Sequence, residues 1–257
     1  MKRVIISAVF AVFCGAVLFA QTYKDGFYFA QDPDFVNNQK NQVVIEVKGG
    51  KIASANWNIQ SLNPAGSQDL KAIAKSGSVA GAVTWAGQAK ATEDFLVSSQ
   101  KVDTASVPNG PANVKPFFDL AKKALASSAV AKGSYKDGWY HAIASGPDGY
   151  HTRNYVLITV ANGTIVDVLW NGVLVGMPQS IDPSKIVQSK KPNGYPMTGA
   201  KNAWHLQSAA VAAELVKVQN PDSIKMKSDH RPDAISGASI EINIFIDLAK
   251  QALQPAK

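Results

Sequence analysis

The sequence contains an internal repeat, in which the second half resembles the first. This repeat constrains the fold more than any other feature. Four segments recur in the same order: residues 23–28 as 135–140, 43–57 as 156–170, Trp85 and Gln88 as Trp204 and Gln207, and 119–125 as 247–253. Four ordered anchors are improbable by chance, so each half is expected to be one structural unit. We divide the chain into a first repeat over residues 21–128, a linker over 129–134 and a second repeat over 135–257.

Each repeat carries the pattern of a β-hairpin followed by helices. In the second repeat, apolar runs over 156–160 and 164–170 flank Asn162-Gly163, and Gly49-Gly50 takes this place in the first. Such pairs supply the positive φ angles of a tight hairpin turn. A loop of about thirty residues, 171–201, follows in the second repeat, and loops of that length are often functional. We expect it to form one wall of a ligand site.

Helical spacing marks the elements after that loop. Trp204, Val211 and Leu215 fall on one face of a predicted helix that ends at Asn220-Pro221. Residues 240–244 alternate like a strand, while the end of the chain steps by four like a helix, and we favour a helix for all of 240–253. The predicted fold class is α+β: two tandem repeats, each a small hairpin-containing sheet packed with helices.

The first twenty residues have the layout of a secretory signal peptide. Lys2 and Arg3 precede an almost unbroken apolar run that ends at Ala20. This run is shorter than the roughly 20 residues of a membrane span, although an uncleaved anchor stays open as an alternative. Cys14 lies inside the segment, so the mature chain would have no cysteine. We therefore expect an exported protein in the periplasm or at the cell surface.

Charge and composition argue against several classes of function. Removal of Lys2 and Arg3 with the signal lowers the formal net charge from +7 to +5, and the lysines form no basic block. No nucleic-acid partner is therefore expected. The four histidines show no ligand spacing, so no metal site is expected. Nucleotide-binding glycine loops and nucleophile elbows are absent from the sequence, and no catalytic residue is assigned.

The residues that point to chemistry lie just before the last predicted helix. Residues 233–239 read Asp-Ala-Ile-Ser-Gly-Ala-Ser. Ser236 or Ser239 would cap that helix, and Gly237 allows a tight turn. Backbone N–H groups and the helix dipole would then favour an anion such as phosphate. Taken alone, small residues before a helix are more often a cap than a ligand site.

This stretch resembles the Asp-x-x-Ser-Gly-Ala-Thr/Ser signature of the FMN-binding domain family. That family includes flavin-carrying subunits of sodium-pumping NADH:quinone reductase and of the Rnf complex, and exported flavoproteins of extracellular electron transfer. In the family, an FMN transferase moves FMN from FAD onto the last hydroxyl of the signature as a phosphoester. The resemblance, which covers residues 135–253, therefore implies covalent FMN on Ser239, where most members have threonine.

The resemblance also implies roles for the rest of the motif. Asp233 matches the acidic residue that the transferase requires. Ser236, Gly237 and Ala238 match the segment that wraps the phosphate.

Three cofactor-binding candidates outside the motif come from residue chemistry. Gln207 can donate to and accept from a flavin, Trp204 could stack on its ring, and Arg231 suits a phosphate or a transferase. The ordinary alternatives are core packing for aromatic residues and pairing of Arg231 with Asp229 or Asp233. Trp170, Tyr140 and Tyr155 are further stacking candidates with the same core alternative.

The first repeat departs from the motif. Counted back from the shared Asp-Leu-Ala-Lys, Pro111 falls where Ser239 stands in the second repeat. Proline has neither a hydroxyl nor a backbone N–H. One flavin per chain is therefore expected.

Together these features predict an exported electron carrier rather than an enzyme with its own substrate. Its partners would be an FMN transferase and membrane or periplasmic redox proteins. A covalent bond keeps a cofactor at high effective concentration outside the cytoplasm. Two alternatives stay open: the repeats hold flavin or another small ligand non-covalently, or the chain is a surface structural protein of the same fold.

Overall fold

A computed structural model describes residues 23–62, 69–77, 79–149, 151–175 and 202–257. The predicted signal peptide over 1–20 and residues 176–201 of the predicted loop lie outside these ranges. Each half of the chain contributes a three-stranded antiparallel sheet with helices packed on it. The molecule is α+β, as the sequence predicts.

The elements follow a similar order in both halves, and the first half has an additional short helix, Leu70–Ser76, among the described residues. The first half contains β1 (Gly26–Gln31), β2 (Gln39–Lys48), β3 (Lys51–Ser61), α1 (Leu70–Ser76), α2 (Ala80–Ser99) and α3 (Lys115–Leu125). The second contains β4 (Gly138–Ile143), β5 (Thr152–Ala161), β6 (Thr164–Leu174), α4 (Trp204–Val218) and α5 (Asn243–Leu253). In each sheet the strands lie side by side in chain order. Within the described ranges, no helix is both long and apolar enough to cross a membrane.

The two predicted hairpin turns are present. Asn162 and Gly163 join β5 to β6 with φ angles of 52° and 73°. Gly49 and Gly50 join β2 to β3 with φ angles of 61° and 73°. Positive φ at both turn residues matches the right-handed twist of the flanking strands.

Corresponding aromatic residues occupy corresponding places in the two cores. The contacts are Trp57 with Trp85 and Phe117 in the first half, and Trp170 with Trp204 and Phe245 in the second, at centroid distances of 5.5, 5.3, 5.2 and 5.1 Å. In both halves the tryptophan on the helix packs edge to face against the tryptophan on the strand. Each group anchors a strand and two helices to one another, because aromatic rings bury large areas in specific geometries.

Two element boundaries differ from the prediction. The last helix begins at Asn243, so residues 240–242 are not helical. Ile240 and Ile242 are 7% and 0% exposed, and the Ile242 N–H donates to the His230 carbonyl at 2.9 Å. Burial of these alternate apolar side chains keeps the segment out of the helix. The predicted loop over 171–201 is also shorter at its start, because β6 runs on to Leu174.

The face of each sheet turned away from its helices contacts the other half, and the polar contacts there converge on Asp167. Its carboxylate accepts from Gln31 at 2.8 Å and from Gln60 at 3.4 Å. Lys40 and Gln42 of β2 donate to it at 3.0 and 2.9 Å. Asp167 and Lys40 are only 9% and 5% exposed. Since buried charges need such compensation, this Asp167 cluster holds the two sheets in one arrangement, which the sequence did not predict.

The linker over 129–134 is hydrogen-bonded to both sheets. Val130 donates its N–H to the Phe27 carbonyl at 2.7 Å and accepts from the Asn162 side chain at 2.8 Å. The Gly133 N–H donates to the Asn162 carbonyl at 2.8 Å. The β5–β6 turn therefore packs directly on the linker.

Gly163→Ala is expected to destabilise the protein more than Gly49→Ala. Both glycines have positive φ, where an L-residue costs about 1–2 kcal/mol. A Cβ on Gly163 would also lie 2.5 Å from the Gly133 carbonyl oxygen, whereas a Cβ on Gly49 would meet nothing within 4 Å. Urea unfolding measures both losses, and their difference isolates the clash with the linker. Equal losses would contradict the close packing of the turn on Gly133.

Candidate functional site

Ser239 lies in a loop that leads from a short hairpin, residues 225–233, to α5. A turn occupies residues 235–238, where the Ala238 N–H donates to the Ile235 carbonyl at 3.3 Å. Gly237 is the third residue of this turn, with φ of 82°. Positive φ at that place is the requirement of a type II turn and favours glycine. The tight turn predicted at Gly237 is therefore present.

A buried glutamine of α4 holds this loop in place. Gln207 is 1% exposed, and its Oε1 accepts the Ser239 N–H at 2.7 Å and the Ser239 hydroxyl at 3.2 Å. Its Nε2 donates to the Asn202 carbonyl at 2.8 Å. The Asn202 side chain in turn donates to the Gly237 carbonyl at 3.1 Å. Ser239 as a whole residue is exposed, while its backbone N–H is fixed by Gln207.

Neither Ser236 nor Ser239 caps α5, which corrects the predicted capping role. The helix starts four residues after Ser239, and its N-cap, Ile242, makes no side-chain capping bond. The reason is the burial of Ile240 and Ile242, which separates the motif from the helix. The dipole of α5 acts within its first turn. It therefore does not stabilise a phosphate at Ser239, contrary to the expectation from the sequence. The contacts of the loop are instead with the start of α4.

Three aromatic candidates for flavin stacking, Trp204, Trp170 and Tyr155, are buried. Trp204 is 6% exposed and lies against Trp170, which is 3% exposed. Tyr155 is buried between the sheets, where its hydroxyl accepts from Asn171 at 3.0 Å. A flavin contact by Trp204 stays a prediction. Its observed role is to anchor the start of α4, from which Gln207 reaches Ser239.

Tyr140, the remaining stacking candidate, is engaged at the start of its own strand. Its hydroxyl donates to the Lys136 carbonyl at 2.6 Å. Partial burial raises the pKa of this hydroxyl, and the nearby Asp137 carboxylate raises it by a smaller amount. Tyr28 makes the equivalent bond to the Lys24 carbonyl in the first half, so this contact belongs to the shared fold.

The charged candidates are exposed near Ser239 in the chain. Arg231 lies on the hairpin, and its Nε is 3.9 Å from an Asp229 carboxylate oxygen, a long ion pair between exposed groups. Asp233 is exposed and ends the hairpin, where its N–H donates to the Lys225 carbonyl at 3.1 Å. Ser236 and Gly237 are exposed and Ala238 is half-buried. The motif thus presents most of its residues to solvent.

The first half contains the same turn without the hydroxyl. The Gly110 N–H donates to the Val107 carbonyl at 3.0 Å, and Asn109 takes the positive φ, 59°. The next residue is Pro111, at the place of Ser239. Proline has no N–H to donate to a glutamine and no hydroxyl to modify. The bond that fixes the Ser239 backbone therefore has no counterpart at Pro111.

Two residues, one just before α4 and one in its first turn, were not singled out from the sequence. Asn202 anchors the Gly237 carbonyl, and the only sequence signal for it is its place shortly before the repeated tryptophan. The Nδ1 of His205 is buried and has no hydrogen-bond partner in the described part of the chain. The described ranges contain no group of three or more His, Cys, Asp or Glu residues arranged to hold a metal ion.

Comparison with known proteins gives one similar structure. No family model and no curated protein matches the sequence. A solution NMR structure of a protein from Clostridium thermocellum, a structural-genomics target, is 37% identical. The match covers 46% of this chain and 90% of that chain, with a TM-score of 0.35. A TM-score this low supports no conclusion about fold or function.

Proposed function

We propose that this protein is an exported electron-transfer flavoprotein that carries FMN as a phosphoester on Ser239. The observation that supports this most is the presentation of one hydroxyl. Ser239 is exposed, yet its backbone is held by Gln207 at 2.7 Å. A hydroxyl that receives a phosphoryl group from another protein needs both access and a fixed position.

Basic side chains lie on the hairpin that precedes the Ser239 loop in the chain. Lys225, Lys227 and Arg231 are exposed on the hairpin that precedes the loop, and such side chains form charge-assisted hydrogen bonds with phosphate. Leu206, 53% exposed, precedes Gln207 on α4, and Met226, 45% exposed, lies on the hairpin. In this proposal their exposed side chains would contact the aromatic ring system.

In this proposal the cofactor and the protein have separate roles. FMN, when bound, supplies one- and two-electron redox chemistry, while the protein supplies attachment, placement and local charge. An FMN transferase would deliver the group from FAD, and membrane or periplasmic redox proteins would exchange electrons with it. The first half, which has Pro111 at the corresponding place, supports the second half through the Asp167 cluster.

Intact mass and colour test this proposal together. Co-expression with an FMN transferase is expected to add the mass of one FMN minus one water to the mature chain, because the phosphoester forms with loss of water. The yellow colour should survive denaturation. The same chain expressed without transferase is the control and should show neither change. Colour that washes out in denaturant would favour non-covalent binding, and a colourless chain of unchanged mass would refute the proposal.

A further inference from the structure

We propose that Gln207 is the positioning residue for flavin attachment to Ser239. This inference rests on the proposed function. Both ends of the carboxamide are engaged within the protein, which favours a positioning role; a direct flavin contact by Gln207 stays a prediction. Its Oε1 accepts from Ser239, and its Nε2 donates to the Asn202 carbonyl. At 1% exposure, Gln207 would act on a ligand through its contact with Ser239.

The two bonds to Ser239 set both the place and the direction of its hydroxyl. The bond from the N–H, at 2.7 Å, fixes the backbone of Ser239 against α4. The bond from Oγ, at 3.2 Å, turns the hydroxyl proton toward Gln207. Since a serine hydroxyl has one proton and two lone pairs, the lone pairs then face away from Gln207. Ser239 is an exposed residue, and in this proposal these lone pairs face the incoming phosphorus.

In the transfer reaction Gln207 does not act as a base. Ser239 Oγ forms a bond to the phosphorus of the FMN half of FAD, and the bond from that phosphorus to the bridging oxygen breaks. AMP leaves with the bridging oxygen, no electrons are exchanged, and the hydroxyl proton passes to the leaving phosphate or to a base of the transferase. A carboxamide accepts hydrogen bonds but carries no titratable site in water. Gln207 therefore orients Oγ without taking its proton.

The first half provides a matched control. Gln88 follows Trp85 by the same spacing that separates Gln207 from Trp204. It is half-buried on α2, while the corresponding loop presents Pro111, which has no N–H. Substitution of Gln88 therefore tests for a general effect of changing this helix position without touching Ser239.

The decisive measurement is the initial rate of FMN attachment at limiting transferase, followed by intact mass on folded, purified chains. Gln207→Met keeps the side-chain length and removes both polar groups. Its rate is expected to fall roughly tenfold or more, the scale of two lost hydrogen bonds. Gln207→Glu keeps an oxygen acceptor and should retain more of the rate. Gln88→Met should match the unsubstituted chain.

Amide hydrogen exchange provides a readout that does not depend on the transferase. In the unsubstituted chain the Ser239 amide should be protected relative to that of Ser228, which lies at the exposed tip of the hairpin. Protection should be lost in Gln207→Met. An unprotected Ser239 amide, or equal attachment rates for Gln207→Met and the unsubstituted chain, would overturn the inference. The protection measurement and Gln207→Glu decide the matter even if Gln207→Met does not fold. An unsubstituted chain that takes up no FMN would instead refute the proposed function.

Discussion

Ser239→Ala is expected to abolish covalent FMN attachment completely. The substituted chain should keep its unmodified mass after co-expression with an FMN transferase, because alanine offers no oxygen to the phosphorus. The loop should keep its shape, since alanine retains the backbone N–H that donates to Gln207 at 2.7 Å in the unsubstituted protein. Ser239 is exposed, so we expect the free energy of unfolding to change by about 0.5 kcal/mol or less.

Two further variants make this result specific. Ser239→Thr restores the residue that most members of the resembled family carry, and it should be modified. Ser106→Ala removes an exposed serine from the corresponding loop of the first half and should leave attachment unchanged. An FMN adduct that persists in Ser239→Ala would show that another residue carries the flavin. The adduct could then be located by peptide mass analysis.

Asp167→Ala is expected to cost about 3–5 kcal/mol of unfolding free energy, the range for breaking a buried ion pair on one side. The substitution leaves the Lys40 ammonium, 5% exposed, without its carboxylate. It also removes the acceptor shared by Gln31, Gln42 and Gln60. Urea unfolding followed by far-UV circular dichroism measures the loss.

A double variant and an exposed ion pair provide the controls. Lys40→Met with Asp167→Leu removes both charges and should recover much of the lost stability, because the cost lies mainly in the uncompensated charge. Asp94→Ala breaks the Lys90–Asp94 pair, whose side chains are 65% and 63% exposed, and should change stability little. If Asp167→Ala is no more destabilising than Asp94→Ala, the Asp167 cluster does not hold the two sheets together.

The Asp167 cluster also shows where the internal repeat stops being informative. Counted back from Trp57 and Trp170, the place of Asp167 is held by Ser54 in the first half. Ser54 donates instead to Glu46 in an exposed contact at 3.3 Å. Ser54 is exposed, whereas Asp167 is buried between the sheets. The two positions therefore match in the repeat but lie in different surroundings.

The sequence by itself determined the local structure and which side chains carry reactive groups. It predicted the hairpins at Gly49-Gly50 and Asn162-Gly163 and the turn at Gly237, because these depend on φ angles that neighbouring residues set. Helix α4 was also predictable, since its apolar spacing is local. The absence of a hydroxyl at Pro111 is a fact of sequence alone.

Only the tertiary structure decided how these parts meet. The bond from Ser239 to Gln207 spans 32 residues, and the bond from Lys40 to Asp167 spans 127. The late start of α5 follows from the burial of Ile240 and Ile242 against elements distant in the chain. Periodicity shows which face of a helix or strand is apolar, but not which other element that face contacts. Partners are chosen when whole sheets and helices pack, because burial and hydrogen bonding are then satisfied together over long separations.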